Sequence, residues 1–274
     1  MQVSNNQAFE ERAIFLAAVC GQTYVQFNHS DRTFTVPAGY SVIHIIQAKS
    51  LGRVWEPFGF IIESPQEIII AFRGSSSTAN WISNANATQK RYKFIKENYC
   101  LTHRGFTDIY TSARREIHSA LSRLSSGKIL YITGHSLGGA LATLCAPDVA
   151  ANTAFNTPRL YTYGSPRVGD PVFAKTCSKY VPNSYRIGNL FDAATYVPPS
   201  IFKLPRSDKR YYYSHVQTLY PLSFQKGSVS LNHALSSYFR ELSKLRPEFT
   251  KQLCSSNPGF CPVVEELPQE TTRA

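Results

Sequence analysis

The sequence has no run of about eighteen apolar residues, the length a helix needs to cross a bilayer, so no transmembrane segment is predicted. Its first residues, MQVSNNQAFEERAIFLAAVCG, have no basic segment ahead of an apolar core. They read as an amphipathic helix rather than a secretory leader, which leaves the cytoplasm or a mature secreted form as the expected location. There is no internal repeat and no low-complexity segment, and only 17% of residues are charged against 43% hydrophobic. That composition excludes disorder and describes one ordinary globular chain. The charge is uneven, with 29 Lys and Arg against 18 Asp and Glu, a formal +11. Its densest groups are Lys90, Arg91, Lys93, Lys96 and Lys203, Arg206, Lys209, Arg210, with aromatics interleaved. Neither group matches a nucleic-acid motif, so no nucleic-acid partner is expected; each reads as a solvated basic face, with adsorption to anionic lipid as the functional alternative.

What is present is a strict order of short apolar runs and helical patterns. A helix is expected over residues 7–27, then strands at 42–48, 59–63 and 67–72, the last two joined by the Ser64-Pro65 break. A helix follows from Asp108 to Leu124, with Ile109, Ala113, Ile117, Ala120, Leu121 and Leu124 inward. Beyond it come a strand at 159–163, a short helix at 172–179, a strand at 184–187, a strand at 211–219 and a helix from Asn232 to Leu245. Such alternation predicts a mostly parallel sheet with helices on both faces, in a single domain over residues 1–274 that ends in a Pro-containing tail from about 247. Of six cysteines, Cys20 and Cys145 sit in helix patterns as buried thiols, while Cys254 and Cys261 bracket SSNPGF and can close a small disulfide.

The chain is organised around KILYITGHSLGGALATLCAPDVAA, residues 128–151, an apolar strand that turns at a serine into a helix rich in small residues. Gly134, Ser136 and Gly138 form GxSxG, the nucleophile elbow of α/β-hydrolases, in which the serine hydroxyl stands above the sheet on a tight strand-to-helix turn. In that fold the acid and the histidine follow the serine in the chain, which removes five of the seven histidines and leaves His215 and His233. No glutamate lies between Ser136 and His233, so the acid is Asp148, Asp170, Asp192 or Asp208. Asp148 rides the elbow helix more than two turns past the serine and reads as a solvated helix residue. Asp170, between a glycine and a proline, suits a helix cap, and Asp208 sits among Lys and Arg as a surface ion partner. Asp192 follows a strand at the sheet's carboxyl edge and is the expected acid.

The base is expected to be His233, after Asn232 as a helix N-cap, because His215 lies within the period-2 run YYYSHVQTLY and reads as mid-strand. The strand ending at Phe72 delivers Arg73, Gly74 and Ser75 into a polar loop, where the Ser75 amide can pair with the Leu137 amide as an oxyanion hole. Thr78, Trp81 and Ile82 follow in a short helical pattern with the character of a lid over an apolar cleft.

FRGSSSTANW from Phe72, THRGF from Thr102, GHSLGGALA from Gly134, YTYGSPRVGDP from Tyr161, RIGNLFDAATYVPP from Arg186 and NHALSSYF from Asn232 together resemble the class 3 lipases. These are the fungal-type triacylglycerol lipases and their bacterial relatives. The chain departs from the pattern in having RGS for the commoner RGT, a looser FDAATYVPP segment, and an unmatched C-terminal stretch. The resemblance implies an α/β-hydrolase with a lid over 77–84, acting on acylglycerol esters at an oil-water or membrane interface. It assigns Ser136 as nucleophile, Asp192 as acid, and Ser75 and Leu137 to the oxyanion hole. The chemistry requires no metal and no organic cofactor. Phospholipase A1, a feruloyl-type esterase and, from another class, a non-catalytic lipid-binding scaffold are the alternatives. Nothing in the sequence specifies an oligomeric state.

Overall fold

The computed structural model describes residues 2–75, 87–96, 99–204, 208–216 and 218–263, with side chains from residue 6 onward. The lid residues Thr78, Trp81 and Ile82 lie outside the described residues, as does Arg206. In chain order the elements are α1 (Gln2–Asn28), β1 (Ser41–Lys49), β2 (Trp55–Glu63), β3 (Glu67–Phe72), β4 (Gln89–Arg91), β5 (Leu101–His103), α2 (Arg104–Leu121), β6 (Ile129–His135) and α3 (Leu137–Asn152). There follow β7 (Arg159–Tyr163), α4 (Pro171–Tyr180), β8 (Ser184–Asn189), a 3-10 turn (Ala193–Tyr196), β9 (Ile201–Lys203), β10 (Arg210–Tyr212), β11 (Leu219–Leu222), α5 (Val229–His233), α6 (Leu235–Ser243) and α7 (Pro247–Ser256). The main sheet runs β1-β2-β3-β6-β7-β8-β11. β1, β2 and β3 pair antiparallel, and every pair from β3 to β11 is parallel, which makes the sheet mostly parallel as expected.

Side-chain alternation along the strands builds a core on each face. Ile68, Ile70 and Phe72 of β3, with Leu130 and Ile132 of β6, face the layer made by α2, α3 and α4. Ile69 and Ala71, with Tyr131, face the opposite layer, where α1 and α6 pack. From Ala13 to Cys20 every residue of α1 but the partly buried Phe15 is fully covered there. Arg12 fixes α1 to the sheet through two bonds to Glu67, at 2.6 and 2.9 Å, with its guanidinium 4.3 Å from the centre of the Tyr131 ring. The fold is an α/β-hydrolase.

Four local expectations are corrected. Residues 211–219 are not one strand: Tyr213 still donates along the β9 register, to Ser200, but Ser214 donates to Gly169, so the backbone leaves β9 for another partner before β11 begins at Leu219. The helix expected over 232–245 is two helices, divided at Ala234, whose ψ of 133° is extended. The Pro-containing stretch from 247 is not all irregular, since Pro247–Ser256 forms α7; the disulfide that the sequence offered between Cys254 and Cys261 is present, with Cα atoms 5.6 Å apart.

The fourth correction is Asp148, which is wholly buried rather than solvated. It accepts from Tyr110 Oη at 2.5 Å, from Arg114 at 2.7 and 2.9 Å, and from Asn152 at 2.8 Å, with His118 Nε2 at 3.1 Å. The reason is that α3 is covered on every side from Leu137 to Ala150, so none of its faces meets water. Tyr110, Arg114 and His118 recur every four residues on α2, and one side of that helix therefore meets the carboxylate with three groups. Burial alone raises the Asp148 pKa, but His118, Arg114 and Tyr110 outweigh it and hold the carboxyl below its ordinary value. Asp170 caps α4, accepting from Phe173 N at 2.7 Å, and Asp208 pairs with Lys203 at 3.2 Å, as the sequence suggested.

Candidate active site

Strand β6 ends at His135, and the next residue, Ser136, turns the chain with φ 58° and ψ −127° before α3 starts at Leu137. A positive φ on serine is strained, and neighbouring backbone holds it: Ser136 N donates to Tyr163 O at 2.9 Å, and Ser136 O accepts from Ala140 N at 3.2 Å. The turn also needs a residue without a side chain at 138, where a Cβ would stand 2.2 Å from Phe72 O. The Leu137 amide is the first of α3, so it has no acceptor within the helix and faces outward from a positive dipole end.

His233 and Asp192 meet this serine. His233 Nε2 lies 2.8 Å from Ser136 Oγ, and His233 Nδ1 lies 2.7 Å from Asp192 Oδ2. All three are buried. The Asp192 carboxylate can only accept, so Nδ1 carries the proton and Nε2 is left as the acceptor for the serine hydroxyl. That is the tautomer a general base requires. Asp192 is itself held from three sides: Oδ1 accepts from Ala194 N at 2.9 Å, Oδ2 also accepts from Tyr238 Oη at 2.7 Å, and its own N–H donates to Asn189 O at 3.0 Å. Gly164, with φ 54°, lies under the pair, where a Cβ would come 2.9 Å from Asp192 Oδ2.

His233 does not follow a helix cap at Asn232, as the sequence suggested. It closes the short helix α5, whose N-cap is Ser228, and Asn232 instead accepts from Lys226 N and donates to Phe191 O. The extended residue Ala234 then lets α6 turn back onto α1, which presents the imidazole over the elbow. His215 is not in a strand either. It sits between β10 and β11 and donates through Nε2 to Thr195 O at 2.7 Å. Burial, with Arg186 nearby, lowers its pKa to about 3.

The loop expected to supply the second oxyanion donor lies beside the serine, since a Cβ on Gly74 would stand 3.1 Å from Ser136 Cβ. Its position is set by Arg73, a nearly fully buried side chain that sequence reasoning passed over. Arg73 donates to Pro57 O, Gly74 O and Glu56, and its guanidinium lies 3.7 Å from the centre of the Phe27 ring.

Sequence reasoning also missed Tyr24 and His135. His135 Nε2 lies 2.8 Å from the His233 carbonyl, which can only accept, so Nε2 bears the proton and Nδ1 accepts from Tyr24 Oη at 2.7 Å. Gly74 packs against that hydroxyl, where a Cβ would stand 2.0 Å from Tyr24 Oη. One chain of hydrogen bonds therefore joins α1, the elbow and the His233 segment, with the Gly74 loop packed beside it. Chain order had removed His135 as a base, and its adjacency to Ser136 was the only sign of this other task; Tyr24, on a remote helix, gave none.

This arrangement has a consequence for pH. Burial first, and the neighbouring His233 second, hold His135 well below its ordinary 6.5, and burial lowers His103 to about 4. Both are depressed relative to the unfolded chain, so the stability they support is complete above about pH 6.5 and is lost as pH falls, because only the unfolded chain takes up the protons. Each histidine should remove up to about 1.4 kcal/mol per pH unit below that point. The thermal-unfolding midpoint should fall from about pH 7 to about pH 5, and His103→Gln should flatten the slope. A midpoint that is flat over this range would contradict the neutral assignment.

Comparison with known proteins follows the same lines. Residues 69–202 match the family model described as Lipase (class 3). The secreted mono- and diacylglycerol lipase 1 of Fusarium solani is 33% identical over 151 residues, 54% of this chain and 44% of that protein. The lipase of Rhizomucor miehei is 35% identical over 158 residues, 55% of this chain and 42% of the relative. The chain thus spans under half the length of these curated relatives. Among solved structures, a triacylglycerol lipase with a serine-protease triad at its catalytic centre superposes with a TM-score of 0.58 at 25% identity, covering 69% of this chain and 74% of that one. With elbow, parallel sheet and family match in agreement, the chain is similar to the class 3 lipases over residues 69–202.

Proposed function

We propose that this protein is a serine esterase that hydrolyses carboxylic esters of acylglycerols. The observation that supports this most directly is the buried line of hydrogen bonds from Ser136 Oγ through His233 to Asp192. In the proposed reaction Ser136 Oγ attacks the ester carbonyl carbon while its proton passes to His233 Nε2. Asp192, held by Ala194 N and Tyr238 Oη, stabilises the imidazolium. The tetrahedral oxyanion is received by the amides of Ser75 and Leu137. The imidazolium returns its proton to the leaving alkoxide, which departs as the alcohol and leaves an acyl-serine. Water, deprotonated by the same histidine, then releases the fatty acid and restores the hydroxyl.

The proposal extends to Thr78, Trp81 and Ile82 as a lid, to an oil-water or membrane interface as the place of action, and to residues 1–274 as one functional domain. The Cys254–Cys261 disulfide favours an oxidising compartment, and so a secreted form over a cytoplasmic one. Purified protein should be offered p-nitrophenyl esters of increasing chain length, triglyceride emulsions and phosphatidylcholine, with products resolved by chromatography. Fatty acid released from glycerides, rising once substrate forms micelles, is the expected result. Release from phosphatidylcholine alone would move the substrate to phospholipid, and binding without hydrolysis of any substrate would make the chain a scaffold.

A further inference from the structure

Members of two basic groups that stand more than a hundred residues apart in the sequence come together on one groove. Its volume is about 450 Å3, and its walls include Lys90 and Arg91 from β4 and Lys209 and Arg210 at β10. Two hydrogen bonds hold the walls to each other, Gln89 Nε2 to Tyr212 O at 2.7 Å and Tyr213 Oη to Ala87 O at 3.0 Å. Asp170 is the acidic residue in the lining, and its Oδ1 is engaged by Phe173 N, while Lys90 is paired with Asp108 at 2.5 Å. The lining therefore keeps a positive balance. Its rim is neither wholly polar nor wholly apolar: Tyr99, Tyr212 and Val172 are 65%, 50% and 45% exposed. Arg91 lies over the Tyr99 ring at 5.1 Å, and Lys209 over the Tyr211 ring at 5.2 Å.

We propose that this groove seats the phosphate headgroups of an anionic lipid bilayer. Guanidinium and ammonium groups match phosphate oxygens, tyrosine settles at headgroup depth with its ring toward the acyl region, and an exposed valine beside them prefers hydrocarbon to water. A soluble phosphate or a nucleic acid would use the cations and leave Val172 in water. The groove is tied to the candidate active site by the loop from Gly164 to Asp170, whose last residue lines the groove. Leu101 O accepts from Asp170 N at 2.8 Å and Gly169 O from Ser214 N at 2.9 Å, and the segment holding these residues begins at Gly164, against Asp192 and His233. Docking here would bring the serine's end of the sheet to the membrane. This binding does not depend on the ester-hydrolase reading, and it is tested without turnover.

The test is co-sedimentation with vesicles of phosphatidylcholine, with and without phosphatidylglycerol, using the full chain and a Ser136→Ala form that leaves the lipid intact. Binding should require phosphatidylglycerol and weaken with added salt. Each lost cation should cost about fivefold, so Arg91→Ala, Lys209→Ala and Arg210→Ala combined should lower partitioning on the order of a hundredfold. The same variant, made in the otherwise unaltered chain, should keep the unfolding midpoint and hydrolysis of a short soluble ester. If the triple variant fails to fold, Arg210→Glu, at an exposed position, should still lose about twentyfold. An equal loss from Arg115→Ala, Arg123→Ala and Lys251→Ala, which lie outside the groove, would mean diffuse charge and overturn the proposal. So would binding indifferent to phosphatidylglycerol, or displacement of the vesicles by a single-stranded oligonucleotide of equal charge.

Discussion

Ser136→Ala should lower ester turnover at least about a thousandfold while changing stability by less than about 1.5 kcal/mol. The two expectations come from the same geometry. The Oγ is the atom that would form the acyl bond, and no other hydroxyl stands within hydrogen-bond reach of His233 Nε2 among the described residues. The hydroxyl also contributes little to the fold, because the elbow is held by backbone bonds to Tyr163 and Ala140 and not by the side chain. Turnover and circular dichroism measured on the same preparation decide the matter, with a fluorophosphonate label as a second reading. Turnover above about a thousandth of the unaltered protein, once contaminating esterase is excluded, would remove Ser136 from the mechanism.

The sheet was legible in the sequence wherever one physical signal acted alone. β3 and β6 are buried on both faces and read as continuous apolar runs, and the turn between β2 and β3 is announced by Ser64-Pro65. Reading failed where tertiary contact overrode a local pattern. YYYSHVQTLY alternates as a strand would, yet Ser214 and His215 bond to Gly169 and Thr195, remote positions that alternation cannot report. Asp148 shows the same limit: its helix pattern is sound, but what surrounds a helix is decided by the packing of α2, α4 and the sheet, and a carboxylate reads as solvated until Tyr110, Arg114 and His118 are seen to reach it.

The candidate site divides similarly. Ser136 announces itself because the elbow imposes glycines at fixed spacing, and Asp192 emerges by elimination because chain order and the absence of glutamate leave four carboxylates. The groups that hold these residues in place impose no spacing on one another. Tyr24, Arg73, His135 and Tyr238 come from α1, the residue after β3, the end of β6 and α6, and they act through hydrogen bonds and ring contacts to partners remote in the sequence. Position along the chain says nothing about such bonds until the fold has brought the elements together.

The second large effect separates the two histidines that follow the serine. His233 and His215 both converge on the Asp192 segment, one at the carboxylate and the other at the Thr195 carbonyl in the turn just after it. Thr195 Oγ1 also donates to Asp192 O at 2.8 Å, so His215 braces the backbone that carries the acid, whereas His233 alone contacts the serine. His233→Ala should therefore abolish both acylation by a fluorophosphonate probe and ester turnover, each by about a thousandfold or more, with KM little changed. His215→Ala removes one hydrogen bond from a partly buried carbonyl, which should cost about 1 kcal/mol of stability and lower turnover by less than about tenfold. A readout beyond rate distinguishes the roles further. His215 is held neutral down to about pH 3, so its loss should leave the shape of the turnover-pH profile unchanged, while any residual activity of His233→Ala should lose the limb set by the base. The reverse pattern, with probe labelling lost on changing His215 and kept on changing His233, would move the base to His215 and leave the hydrogen bond between His233 and Ser136 without a catalytic use.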